Sequence, residues 1–439
     1  MKCLIIASGR GSRLRSKGNS KPLVRLLGLP LLERVILTAR KSGLTDFYVV
    51  TGYRGNEIAE HLKHLSEARG ISITNIHNDQ WEKENGLSVL KAKDFITEDF
   101  VLLMSDHIFD ESILARLLRQ TINDGEVMLA VDHNTKNGKH HDDDFTKVLT
   151  QDNRILDIGK DIKEYNAYDT GIFLCSPAVF AALEESENNG DGSLSGGIKV
   201  LARRARARAL DIDGGHWIDV DDERNFHQAE QKLLSSLDKP SDGPISRYLN
   251  RPISTRISRA LVKTRISPNT LSFLSFLLCC TGAFLFFLGK YPYLLIGGLL
   301  AQISSITDGV DGEIARLKFQ QTEFGGWFDA VLDRYADAFL LFGLTYYAYT
   351  VTGTLVTLVI GFMAIIGSFV NSYTADKYDG YMMKRLGLEG RHLRIGRDVR
   401  LFIVFLFAVM NLPLVAILLL ALLMNVENIR RIAILYRNG

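Results

Sequence analysis

Four aspartates stand in surroundings that otherwise avoid charge. Asp308 and Asp311 lie in Asp308-Gly309-Val310-Asp311-Gly312-Glu313-Ile314-Ala315-Arg316. After eight more residues, Gly325-Gly326-Trp327-Phe328-Asp329-Ala330-Val331-Leu332-Asp333 adds two others. Carboxylates within apolar helices are costly and usually functional. Spacings of three and four put each pair on one face of its helix. One short basic loop separates the pairs, so all four acids can converge. Clustered acids repel at low dielectric unless a cation neutralises them. An all-oxygen set suits Mg²⁺ or Mn²⁺ rather than zinc. Such an ion can hold a pyrophosphate and stabilise charge on a leaving phosphate. Gly309, Gly312 and Gly325 would let a nucleotide approach the backbone closely. The bland alternative is a set of interhelical polar pairs with Arg316 and Arg334.

A second constellation opens the chain. Ala7-Ser8-Gly9-Arg10-Gly11-Ser12-Arg13-Leu14 follows an apolar run, and Lys21-Pro22-Leu23 comes soon after. Backbone N–H groups around Gly9 and Gly11 can surround phosphates, and Arg13 and Lys21 can neutralise a triphosphate. A dinucleotide fingerprint would want a glycine where Leu14 stands. Asp106 follows the apolar run Phe100–Met104, where a metal ligand would sit. Asp219 and Asp221 form a further carboxylate pair, and Asp211 and Asp213 read as surface acids.

These residues need two kinds of scaffold. Residues 1–240 have a balanced globular composition, whereas residues 270–429 are dominated by Leu, Phe, Ile, Ala and Gly. Two solvents are implied, water and lipid. The net charge of +2 says little, and no nucleic-acid partner is expected. Cys3, Cys175, Cys279 and Cys280 show no disulfide or zinc spacing. The opening apolar run is too short for a signal peptide and reads as a buried strand. Strands Cys3–Ala7, Phe47–Thr51, Ser72–His77 and Phe100–Met104 alternate with helices over about 30–42, 56–64 and after Gly86. That alternation predicts an α/β, mostly parallel, Rossmann-like sheet covered on both faces, with its site at the carboxyl ends of the strands.

Residues 235–243 read as a linker. Residues 244–265 carry Arg247, Arg251, Arg256, Arg259, Lys263 and Arg265, which suits a helix lying on a membrane surface. The expected division is therefore 1–237, 238–265 and 266–439. Six apolar segments follow: about 271–288, 292–315, 327–349, 355–373, 400–410 and 412–429, with Pro413 opening the last. The expectation is an all-α, six-transmembrane-helix domain. Basic residues crowd one set of loops, so both termini and the soluble domain are expected to face the cytoplasm of a multi-pass cell-membrane protein.

The pattern D-x2-D-G-x2-A-R-x8-G-x3-D-x3-D resembles the signature of the CDP-alcohol phosphotransferases, over about residues 244–439. The resemblance implies that Asp308, Asp311, Asp329 and Asp333 bind two divalent ions. It also implies that Asp333 is the general base, that Gly312, Ala315 and Arg316 hold the CDP group, and that the protein is a homodimer. Residues 1–235 resemble the nucleotidyltransferases that make sugar nucleotides and CDP-choline. The matching pieces are the Gly/Arg loop, Lys21-Pro22, Ser105-Asp106, Asp169-Thr170-Gly171 and the run Trp217–Asp221, with Ser8 where that family usually has Gly or Ala. This implies Mg²⁺ binding by Asp106 and one of Asp219 or Asp221, and transition-state stabilisation by Lys21. Asn85 and Ser88 stand where that family recognises base or alcohol phosphate, although a helix cap explains Asn85 equally well. Lys147 and Lys160 stand where it holds the second substrate's phosphate, or are simply solvated lysines. His140, His141 and Asp142–Asp144 read as a solvated loop.

One domain type makes a nucleotide-activated alcohol and the other consumes a CDP-alcohol. Their fusion resembles the archaeal-type bifunctional enzymes that make CDP-inositol from CTP and inositol 1-phosphate. Those enzymes then form phosphorylated di-myo-inositol phosphate, an osmolyte of heat-adapted organisms. Arg391, Arg394, Arg397 and Arg400 would grip the phosphate of a soluble acceptor at the cytoplasmic mouth, or attract an anionic lipid head group, or serve as a plain positive-inside anchor. A lipid-headgroup transferase with a glycerolipid acceptor is the competing enzyme reading. A nucleotide-sensing receptor or transporter is the nonenzymatic one, and it predicts degenerate acid clusters or a polar path across the bilayer.

Overall fold

The computed structural model describes residues 1–134, 145–238, 242–377 and 395–438. The chain divides into two compact units, Met1–Lys232 and Leu233–Gly439.

The first unit is built on a nine-stranded sheet. The run Cys3–Ala7 is buried throughout, because helices cover both sides and no face needs polar residues. Strand Lys2–Ala7 lies between Asp46–Thr51 and Phe100–Met104, parallel to both, and Ser72–His77 continues the parallel edge. The rest differs from the expected mostly parallel sheet. Strand Ala167–Cys175 runs antiparallel to Phe100–Met104 and to Val127–Asp132, and Lys147–Gln151 and Arg154–Gly159 form a hairpin. The sheet is therefore mixed. The physical reason is connection length: the hairpin turn spans two residues, too few for the crossover that parallel neighbours need. A small ribbon pairs His107–Phe109 with Trp217–Asp219 beyond the end of the central strands.

The second unit is helical. Helix Arg251–Leu261 precedes Pro268–Phe286, Tyr291–Leu317, Glu323–Thr352, Leu355–Lys377, Arg397–Val409 and Pro413–Asn438. Among the described residues, four helices are long and apolar enough to cross a membrane: Pro268–Phe286, Tyr291–Leu317, Leu355–Ala375 and Pro413–Arg437. Helix Glu323–Thr352 carries several charges, and Arg397–Val409 has only 13 residues. These two fall outside that description, although six segments were expected.

The helical unit has polar residues inside and apolar residues outside. Ser275, Ser304 and Asn250 are buried, whereas Phe284 and Phe362 are about as exposed as surface residues, at 63% and 61%. That inversion suits a lipid surround, where helices associate through polar and small residues. Gly282 and Gly297 let the first two apolar helices touch backbone to backbone, since a Cβ on either would fall within 2.7 Å of the other's carbonyl oxygen.

Candidate active sites

In the first unit, the loop leaving strand Lys2–Ala7 brings Gly9, Gly11 and Arg13 to a cleft that Lys21, Ser88 and Asp106 also line. Gly11 has φ +58°, and its missing side chain makes room for the Lys21 stem. Lys21 is buried, and its Nζ donates to Asp106 Oδ2 at 2.5 Å and to Asp221 Oδ1, with Asp219 Oδ1 at 3.7 Å. Burial opposes its charge, but these three carboxylates outweigh burial and raise its pKa well above the usual lysine value. Arg13 Nη2 donates to Asp221 Oδ2 at 3.1 Å. Asp219 and Asp221 alternate along one strand end, so the structure brings both to the cluster.

Sequence reasoning missed His107. Its Nε2 lies 3.6 Å from Asp219 Oδ2 and 3.8 Å from Asp106 Oδ1. Burial disfavours the imidazolium, but the two carboxylates prevail and raise its pKa to about 9. Burial would also raise Asp219, but His107 and Lys21 overcome it and bring it down to about 2. Burial pushes the neighbouring Asp169 up to about 6. Carboxylate oxygens of Asp106 and Asp219 and a ring nitrogen of His107 all lie within 4.8 Å of one another. This donor set fits a divalent cation.

Ser88 and Asn85 also line this cleft. Ser88 is buried, with its hydroxyl bonded to Ser8 Oγ at 2.7 Å and Asn78 Nδ2 at 3.0 Å, so it braces the phosphate loop from beneath. Asn85 opens a short helix, and its Oδ1 accepts from Leu194 N at 2.9 Å. Lys147 lies over the Tyr165 ring, with Nζ 5.2 Å from the centroid, and Lys160 is exposed. Neither lysine lines the cleft of the glycine loop. The stretch from His140 to Asp144, and also Arg391 and Arg394, lie outside the described residues.

In the second unit, Asp308, Asp329 and Asp333 offer carboxylate oxygens within 4.8 Å of one another. Asp311 adjoins them, but its carboxylate accepts from Ser272 Oγ and the Gly312 N–H. Arg397 enters from the helix it begins. Its Nη1 lies 2.9 Å from Asp308 Oδ1 and 2.6 Å from Asp333 Oδ1, and its Nε lies 3.1 Å from Asp337 Oδ1. A guanidinium held by these acids shows that the cluster accepts a cation, and its all-oxygen chemistry fits a hard divalent ion.

Asp337 was also missed. It stands four residues beyond Asp333, the same step that separates Asp329 from Asp333, and that repeat was the available signal. It pairs with Arg397 and, at 2.6 Å, with Arg400. Gly312 and Arg316 line a cavity with Asp308, Asp311 and Asp329, and Ala315 lines the adjoining one. Arg316 Nε is buried with no hydrogen-bond acceptor, which fits an anionic ligand. Behind the cavity, fully buried Glu313 accepts from Arg251 Nη1 at 2.6 Å, Ser254 Oγ at 2.6 Å and Ser258 Oγ at 2.5 Å.

These two architectures define two kinds of transferase domain on one chain. Residues 3–207 match the MobA-like NTP transferase domain, and residues 265–429 match the CDP-alcohol phosphatidyltransferase family. A protein of Rubrobacter xylanophilus described as a bifunctional IPC transferase and DIPP synthase is 37% identical, over 99% of this chain and 96% of the relative. Proteins of the same description from Archaeoglobus fulgidus and Aquifex aeolicus are 33% and 32% identical. The first alignment covers 94% of this chain and 79% of the relative, the second 99% and 98%. The chain belongs to the family of bifunctional IPC transferases and DIPP synthases. It is an enzyme, with a nucleotidyltransferase domain and a CDP-alcohol phosphotransferase domain.

Proposed function

We propose that the first domain makes CDP-inositol and pyrophosphate from CTP and inositol 1-phosphate. The second then transfers the inositol phosphate group to another inositol 1-phosphate, giving phosphorylated di-myo-inositol phosphate and CMP. The observation that carries this reading is the presence of two assembled cation-binding acid clusters on a chain that aligns end to end with bifunctional relatives.

In the first reaction, an inositol phosphate oxygen attacks the α-phosphorus of CTP, and the bond to the pyrophosphate oxygen breaks. Lys21 is poised to neutralise charge building on the phosphoryl oxygens. Arg13 and the loop amides at Gly9 and Gly11 hold the triphosphate. Asp106, with Asp219 and Asp221, would hold a divalent cation that screens the phosphate charge when bound.

In the second reaction, the acceptor hydroxyl attacks the inositol-bearing phosphorus, and the bond to CMP breaks. Asp333 takes the hydroxyl proton. Gly312, Ala315 and Arg316 hold the CDP group. Asp308, Asp311 and Asp329, with Asp333, would hold Mg²⁺ or Mn²⁺ to offset charge on the departing CMP. Arg397, which already bridges Asp308 and Asp333, lines the same cavity and would meet the acceptor phosphate. The unit is read as spanning the bilayer as a homodimer, with both termini and the first unit in the cytoplasm.

The test is to incubate the full chain in detergent with CTP, Mg²⁺ and inositol 1-phosphate and to follow phosphorus by NMR. CDP-inositol followed by a water-soluble phosphodiester is expected. If labelled CDP-inositol, offered both inositol 1-phosphate and glycerolipids, delivers its label only to organic-extractable lipid, the acceptor assignment is wrong.

A further inference from the structure

His107 is held in a way that the proposed reaction does not yet explain. It begins the ribbon strand His107–Phe109 and sits directly opposite Asp219 in the antiparallel register. Its Nδ1 is 2.7 Å from the carbonyl oxygen of Thr170. A carbonyl can only accept, so Nδ1 carries the hydrogen and donates it. Nε2 therefore faces the two carboxylates, whose charge favours a second proton there, and a divalent cation would take that proton's place.

The separations are informative. Nε2 lies 3.6 Å from Asp219 Oδ2 and 3.8 Å from Asp106 Oδ1. Both are too long for good hydrogen bonds. They lie between the about 3 Å of adjacent ligands and the about 4.2 Å of opposite ones on bonds of about 2.1 Å, so a shift of about half an ångström brings the three atoms onto one ion. Of the remaining oxygens, Asp106 Oδ2 accepts from Lys21 at 2.5 Å, and Asp219 Oδ1 faces the same ammonium at 3.7 Å, buried without a hydrogen-bond donor. Each carboxylate thus gives one oxygen to the ammonium side and one to the imidazole side.

The surrounding chain keeps the ring in place. Gly171 has φ +71°, and a Cβ there would overlap the imidazole at Nδ1. The run Asp169-Thr170-Gly171 therefore has two local jobs. Thr170 supplies the carbonyl that orients the ring, and Gly171 supplies the space for it. A backbone carbonyl on the far nitrogen is the usual second partner of a metal-bound histidine.

We propose that His107, through Nε2, is a third protein ligand to the divalent cation held by Asp106 and Asp219 in the nucleotidyltransferase unit. The site then contains nitrogen, whereas the acids Asp308, Asp329 and Asp333 form an oxygen-only set. Mn²⁺ and Co²⁺ should fill the nitrogen-containing site more readily than Ca²⁺ does. This inference rests on the reading of the first unit as a metal-dependent cytidylyltransferase.

The experiment is electron spin-echo modulation on the full chain in detergent with Mn²⁺ and CTP. Nitrogen coupling from a directly bound imidazole is expected in the wild type and should vanish in His107→Asn. Mn²⁺ affinity at that site should fall about tenfold or more in the variant. The wild-type spectrum does not depend on the variant's folding, and amide exchange across strands Lys2–Ala7 and Phe100–Met104 reports whether the variant's first unit is intact. Formation of CDP-inositol with no nitrogen coupling overturns the ligand assignment alone. Nitrogen coupling that persists in His107→Asn also overturns it. Coupling without CDP-inositol keeps the ligand and overturns the substrate reading instead.

Discussion

Lys21 and Asp333 have complementary chemistry, and each can be removed without touching the other reaction. Lys21→Ala deletes a buried cation that contacts Asp106 and Asp221. CDP-inositol formation should fall by about 100-fold or more, while transfer from supplied CDP-inositol persists. Asp333→Asn should reverse the pattern, with transfer falling by roughly 100-fold or more, because an amide cannot take the hydroxyl proton. Separate assays of the two half-reactions check both, and equal loss of both activities in a folded Lys21→Ala chain would refute the separation. Asp337 plays a different part. It neutralises Arg397 and Arg400 inside the helical unit, so Asp337→Asn leaves two buried guanidiniums short of an anion. The expected cost is on the order of 3–5 kcal/mol, read as a lower unfolding temperature in detergent. An unchanged unfolding temperature would show that the carboxylate is not needed there.

Among the elements, helix Arg251–Leu261 is fastened to Tyr291–Leu317 chiefly through Glu313, which accepts from Arg251, Ser254 and Ser258. The sequence marked 244–265 as basic and amphipathic, but it did not show that Arg251 is buried. Replacing Glu313 with Ala leaves Arg251 its pairing with Asp242 but removes the acceptor of its Nη1 and of two serine hydroxyls. Amide exchange across 251–261 should quicken, and transfer should fall while CDP-inositol formation continues. Unaltered exchange would argue that other contacts hold the helix.

Element positions were largely readable. Ser72–His77 and Phe100–Met104 appear as expected, and Pro413 opens the last helix. Strand direction was not readable. A buried strand looks the same in either sense, and only its partners and the length of its connections decide. Membrane crossing was partly readable, since apolar length marks four helices, while the charged Glu323–Thr352 and the short Arg397–Val409 take their places by packing.

At the scale of the whole molecule, fusion keeps the intermediate near its consumer without requiring a tunnel. Lys21→Ala and Asp333→Asn chains mixed in one vessel should therefore make the final phosphodiester, after a lag while free CDP-inositol builds up. Time courses at several protein concentrations would measure the lag, and failure of the mixture to form product would indicate that the intermediate cannot pass between chains.

Composition alone separates a water-facing unit from an apolar one, because burial in water and burial in lipid demand different residues. Motif spacing alone selects Asp308, Asp311, Asp329 and Asp333, since helix periodicity is a local property. What each acid faces is not local. Arg397 reaches Asp308 and Asp333 across 89 and 64 positions of chain, and His107 meets Asp219 because two distant strands pair in register. Asp311 carries the same signature as its neighbours and lines the same cavity, yet one of its oxygens accepts from Ser272. Only the packed chain decides such partners, because charges choose among whatever groups folding brings within a few ångströms.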